Sequence, residues 1–105
     1  MIVTFEKEYL KELYEYGKTS DKKHRFQPDI VKRYKKCVNF LMASGSIEIL
    51  MQINSLNYEV LKGDKEGKSS IRVNNKYRLE FLVRETYDEP IVTICNIVEL
   101  SNHYQ

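Results

Sequence analysis

With 105 residues, 42% of them hydrophobic and 11% aromatic, the chain can close one modest core and lacks the apolar-poor composition of disordered proteins. No apolar run approaches the roughly 20 residues that cross a bilayer, and the opening MIVTFEKEYLKELY is acidic where a secretion signal is basic, so a soluble cytoplasmic protein without a membrane partner is expected. Cys37 and Cys95 show neither CxxC spacing nor a histidine cluster, which argues against a disulfide framework, a metal site or any cofactor and leaves both as small core residues.

The net charge of +2 says little about partners, but its distribution says more. Residues 18–36 carry eight Lys/Arg against Asp21 and Asp29, and residues 57–78 carry six against Glu59, Asp64 and Glu66. Residues 79–105 carry Arg84 against five acids. Such segregation suits a polyanion partner, although a solvated helix face and charged turns produce the same pattern.

Along the chain, Ile2 to Thr4 form a β-branched run in which Thr4 is placed to cap a following helix. Phe5, Tyr9, Leu10, Leu13 and Tyr16 recur at helical spacing, and Gly17 is the expected stop. Residues 18–27 read as a polar loop in which His24 has no carboxylate at helical spacing. Pro28 opens a second helix whose stripe is Ile30, Val31, Tyr34, Cys37, Val38, Leu41 and Met42, with Lys32, Arg33, Lys35 and Lys36 facing out. The SGS at 44–46 ends it, and residues 47–53 allow another helical turn or two.

From Tyr58 the period changes to two. Val60 and Leu61, then the turn-rich GDKEGKSS, then SIRVNNKYRLEFLVRE read as sheet. Asn74 and Asn75 are the expected turn, because Asn tolerates the positive φ of a tight hairpin. Ile71, Val73, Tyr77, Leu79, Phe81 and Val83 are assigned to the core. IVTICNIVEL, apolar at nearly every position, reads as a central strand covered on both faces. The expected fold is α+β, with elements in the order β-α-α-β-β-β. The N-terminal strand returns to a mostly antiparallel sheet, and two helices pack across one face. Neither a repeat nor a second domain is visible, so residues 1–105 are expected to form one domain.

The parity that buries Tyr77, Leu79 and Phe81 puts Arg78 and Glu80 on the opposite face, together with Arg72 of the partner strand. Two guanidinium groups beside Lys62, Lys65, Lys68 and Lys76 suit bidentate phosphate binding; a surface ladder of Arg72 and Arg78 with Glu80 or Glu99 is the competing reading. Tyr58 precedes the basic loop and can stack on a base or pack. Glu99, His103 and Tyr104 follow the central strand as candidate acid and base. Ser44, Ser46, Ser69 and Ser70 read as structural. Nucleotide-binding glycines, metal-ligand pairs and a nucleophile elbow are all missing from the sequence.

The stretch LKGDKEGKSSIRVNNKYRLEF resembles the plasmid-maintenance killer proteins, the HigB group of the RelE/ParE toxin superfamily. Residues 56–81 carry the match, and the order of elements extends it over the chain. The resemblance implies a toxin of a type II toxin-antitoxin system, an mRNA interferase cutting mRNA in the A site of the 70S ribosome. The ribose 2′-OH attacks the adjacent phosphate without a metal, and translation stops. By position, Lys62, Arg72 and Arg78 correspond to the family's basic residues, with Tyr58, Lys65, Lys68 and Lys76 as further RNA contacts. The implied partner is a helix-turn-helix antitoxin of the HigA kind, through which alone the toxin reaches operator DNA. The chain departs from the family pattern where a histidine often precedes the turn, since Tyr58 and Glu59 stand there. It departs again at the ending, which leaves Glu99 or His103 as base and Tyr104 or His103 as acid. The superfamily also contains ParE-like gyrase-binding toxins without nuclease activity, and a degenerate toxin would keep only antitoxin binding and co-repression.

Overall fold

The computed structural model describes residues 1–102. Strand β1 (Ile2–Phe5) leads into α1 (Glu8–Tyr16), α2 (Pro28–Ala43) and a short α3 (Ile47–Met51). Strands β2 (Glu59–Val60), β3 (Lys68–Arg72), β4 (Tyr77–Glu85) and β5 (Thr93–Asn102) complete an α+β fold. The sheet runs β1-β5-β4-β3-β2, with β1 parallel to β5 and every other pair antiparallel. α3 is the helical turn or two that residues 47–53 allowed; beyond the expected order, the described residues add a two-residue β2 and three 3-10 turns.

The helices bury most of their stripes on one sheet face, although Tyr16 and Met42 stay exposed and Phe5 belongs to β1. Tyr9, Leu10 and Leu13 of α1 and Ile30, Val31, Tyr34, Cys37, Val38 and Leu41 of α2 meet Ile71, Leu79, Phe81, Ile97 and Leu100. Tyr34 is fully enclosed, and its hydroxyl donates to the Leu10 carbonyl at 2.7 Å, linking the two helices. Gly17 ends α1 with φ of 76° and its N–H on the Leu13 carbonyl, the left-handed stop that glycine adopts without steric cost. Pro28 occupies the first turn of α2.

Several local expectations are corrected. Thr4 does not cap α1, because β1 continues through Phe5, which pairs with Ile97, and the helix begins at Glu8 behind an extended Lys7. The ladder to β5 claims those backbone groups, and Thr4 Oγ1 donates to Asn96 Oδ1 at 2.8 Å instead. Val83 is exposed rather than core. The β3–β4 turn has no positive φ at Asn74 or Asn75. Asn74 Oδ1 instead accepts the backbone N–H groups of Lys76 and Tyr77 at 2.9 and 2.7 Å, so the amide side chain closes the turn. His24 does have a carboxylate partner: a 3-10 turn brings its Nδ1 within 2.9 Å of Asp21 Oδ2, and its ring stacks on Tyr9.

Opposed residues of an antiparallel ladder share a face, so register alone arranges the sheet's other side in rows. Glu59, Ser70, Glu80 and Glu99 align across four strands, and Arg72, Arg78 and Ser101 form the neighbouring row. In β5 both Ile97 and Leu100 face the helices, which strict alternation forbids. An irregularity between Glu80 and Phe81 shifts the register there and restores the pattern.

Candidate functional site

Arg78 is buried, at 5% exposure, although its strand parity points it away from the helices. Its side chain runs beneath β3. Nε donates to Ser70 Oγ at 2.8 Å, and Nη2 donates to the carbonyls of Asn57 at 2.5 Å and Ser70 at 3.2 Å. Asn57 presents its carbonyl from a left-handed conformation, φ 44°, at the end of the 3-10 turn Asn54–Leu56. This position suits Asn, whose short polar side chain tolerates positive φ better than most residues do. Leu56 anchors that turn in the core. A guanidinium fixed by several neutral acceptors is preorganised, so holding an anion would require little further ordering.

Arg72 stands opposite Arg78 in the register, exposed, with Nη2 donating to Asn75 Oδ1. Together the two arginines line an open cleft of about 450 Å³ with Asn54, Asn57, Glu59 and Asn74. Across the β3–β4 turn lies a second cleft of about 510 Å³, sharing Arg72, Asn74 and Asn75 and adding Arg33 and Asp29 of α2 and Lys76. Planar, fixed cations beside amide groups and one carboxylate can clamp a phosphodiester while a base acts nearby.

The remaining residues singled out from sequence fall elsewhere. Lys65 sits on a carboxylate: its Nζ is 2.6 Å from Glu80 Oε2, 3.8 Å from Glu99 Oε2 and 3.4 Å from Ser101 Oγ. The hydrogen bond to Glu80 holds the Lys65 pKa above its ordinary value, with the two glutamate charges acting in the same sense. Its expected role as an RNA contact therefore competes with an internal ion pair. Glu80 is almost enclosed, and its Oε1 has no hydrogen-bond partner among the described residues. Glu99 is half-exposed on the Lys65 side and does not line the arginine cleft. Tyr58 packs inward, donating its hydroxyl to Ser69 Oγ at 2.8 Å with its ring edge-on to Phe81. Of the two readings open to Tyr58, packing is the one formed. Lys62 is exposed at the start of the turn Gly63–Lys65, and Lys68 faces Leu82. Neither lines the clefts. His103 and Tyr104 lie outside the described residues.

Sequence reading did not find Asn54, Asn57 or Arg33. The polar NSLN after a helical stretch was the available signal for the first two. Arg33 was hidden in a basic run that reads as a solvated helix face.

No curated protein matches the chain. Among solved structures, it resembles the YoeB/ParE toxin from Agrobacterium tumefaciens with a TM-score of 0.56 at 16% identity, covering 99% of this chain and 100% of that one. It is also similar to a chain of the heterotetrameric YoeB-YefM toxin-antitoxin complex from Staphylococcus aureus, with a TM-score of 0.50 at 20% identity over 99% and 98% of the two chains. At these identities the likeness establishes the fold. Residues 3–93 match the family described as the RelE-like toxin of the type II toxin-antitoxin system HigB, and the chain belongs to that family of toxins.

Proposed function

We propose that this toxin is a ribosome-dependent mRNA endonuclease. The single observation that carries the reading is the cleft in which a rigidly held Arg78, an exposed Arg72 and the Glu59 carboxylate face one space. In this reading the two guanidinium groups grip the scissile phosphate. Glu59 takes the proton of the adjacent 2′-OH, whose oxygen attacks phosphorus in line. The products are a 2′,3′-cyclic phosphate and a 5′-OH end, the leaving oxygen taking a proton from an acid. His103 or Tyr104, the residues that follow β5 in the sequence, is the proposed acid. Glu59, which the sequence did not put forward as a base, is preferred over Glu99 because it lines the arginine cleft and Glu99 does not.

The charge that builds on the phosphate is met by groups already in place. Such preorganised donors are worth roughly 10²–10³ in rate each, and a positioned base contributes on the order of 10²–10⁴. The ribosome supplies mRNA in an extended, accessible form. A cognate antitoxin of the HigA-like helix-turn-helix kind neutralises the toxin and carries it to operator DNA; membership of a type II toxin-antitoxin family supports such a partner.

The test is induction of the protein followed by mapping of mRNA ends. The expected result is new 5′-OH ends inside translated frames, lost with Glu59→Gln, a near-isosteric change at the rim of the sheet. Intact mRNA accompanied by inhibited DNA supercoiling would replace this reading with a gyrase-directed one.

A further inference from the structure

The second cleft has no assigned role, and its composition differs from the first. Its lining sets three cations, Arg33, Arg72 and Lys76, against the single carboxylate of Asp29. Asp29 has a local use, since an acid in the first turn of α2 complements the helix dipole. Neither Arg33 nor Lys76 makes an ion pair with any described residue, and both side chains are exposed. The juxtaposition is tertiary. Cys37 Sγ lies 3.5 Å from the Arg72 carbonyl, which seats the third turn of α2 against the end of β3. Lys36, one turn beyond Arg33, is also exposed and extends the positive line along the helix.

The two clefts meet at Arg72, Asn74 and Asn75. An anionic chain held in the first cleft therefore continues most directly over the turn and into the second, where cations rather than acids predominate. The amides of Asn74, Asn75 and Gln27 along this path offer donors and acceptors to base edges or phosphate oxygens. We propose that Arg33 and Lys76 form a second RNA phosphodiester-binding subsite on the α2 side of the β3–β4 turn. The proposal rests on the nuclease reading only in taking RNA as the polyanion.

Two sources of RNA backbone fit this chemistry, the mRNA strand leaving the first cleft and ribosomal RNA beside it. The test uses the full-length toxin with 2′-O-methyl oligonucleotides, which cannot be cleaved by 2′-OH attack, in a short and a longer length, and separately with ribosomes free of mRNA. The comparison is with the double variant Arg33→Ala/Lys76→Ala, its fold checked by circular dichroism. Both positions are exposed, and surface changes of this kind usually leave stability little altered.

If the subsite continues the mRNA path, the longer oligonucleotide binds more tightly than the short one and the double variant abolishes that advantage. Its affinity should fall on the order of tenfold at low salt, and the slope of log affinity against log salt should fall by about 1.4, near 0.7 for each lost phosphate contact on a single strand. If ribosomal RNA occupies it, both oligonucleotides bind the double variant as they bind the wild type, while co-sedimentation with ribosomes declines. Asp29→Asn should tighten whichever of these interactions is present. Unchanged binding in both assays, with mRNA cleavage intact, overturns the subsite and leaves the nuclease reading standing. Absence of mRNA cleavage by the wild type, with the Arg33/Lys76 dependence of binding retained, separates the two in the other direction. A wild-type toxin that binds neither oligonucleotide nor ribosome overturns the subsite outright.

Discussion

Replacing Arg78 with methionine keeps an unbranched apolar stem but removes the fork that bonds Ser70 and Asn57. Ser70 is fully enclosed, so its hydroxyl and carbonyl lose donors that water does not readily replace, at about 1–3 kcal/mol for each unsatisfied group. The Asn57 carbonyl belongs to an exposed residue and rehydrates at little cost. The expected loss is therefore about 3 kcal/mol, which for a domain of this size lowers Tm by roughly 10–20 °C. Arg72→Ala removes an exposed side chain bonded to Asn75 and should cost at most about 1 kcal/mol. The two substitutions thus separate stability from chemistry. Cleavage of a reporter mRNA in a reconstituted translation system, with urea unfolding in parallel, should show both variants impaired on the order of 10²–10³-fold and only Arg78→Met destabilised. An Arg72→Ala protein that cleaves at the wild-type rate would refute the paired clamp, and an Arg78→Met protein of undiminished Tm would refute the buried fork.

Lys65→Ala strands the nearly enclosed Glu80 without its counter-ion. Because Lys65 itself is partly exposed, the cost is set below that of a fully buried pair, at about 1–3 kcal/mol. Adding Glu80→Leu should recover most of it in urea titrations; failure of the second change to rescue would mean that the lysine acts otherwise. Alkaline stability should fall from about pH 10 upward, because burial pushes the Tyr9 hydroxyl up to about 12. A raised folded-state pKa gives a contribution fully present below the unfolded value near 10 and lost as pH rises through the folded one, about 3 kcal/mol for such a shift. Burial of Cys37 and Cys95, each pushed up to about 11, acts in the same sense, and Tyr9→Phe should flatten the decline seen in thermal melts between pH 9 and 12. Iodoacetamide at pH 8 should leave both cysteines unmodified in the folded protein and label both in urea, as mass spectrometry will show.

Short-range regularities made much of this fold legible. The period-two alternation assigned Ile71, Val73, Leu79 and Phe81 to the core, and all four are buried. The same parity put Arg72, Arg78 and Glu80 on the other face. What parity could not supply was depth. Arg78 and Glu80 are covered by segments 21 and 15 residues upstream, through Asn57 and Lys65, and the covering depends on a left-handed Asn and on the loop between Gly63 and Gly67, both of positive φ. The apolar run IVTICNIVEL conceals its register irregularity because nearly every side chain in it is acceptable on either face. Arg33 could be read as basic but not as a neighbour of Arg72, since their meeting requires α2 to lie against β3.

The register also bears on why these cations stand together. Arg72 and Arg78 oppose each other directly, and like charges in that relation weaken a ladder. The surface ladder that sequence allowed would relieve the repulsion by engaging Glu80 or Glu99, yet both of those carboxylates lie on Lys65 instead. Glu80 therefore serves the loop that carries Lys62, and the arginine row is left facing the Glu59 side of the sheet. Two planar guanidinium groups lining one cleft have the geometry to hold a phosphodiester between them. Inorganic phosphate or sulfate should accordingly raise the Tm of the wild type by more than equal ionic strength of chloride does, and Arg72→Ala should remove the difference. An equal response of wild type and variant would place the anion's effect elsewhere on the surface and remove this reason for reading the arginine row as a phosphate clamp.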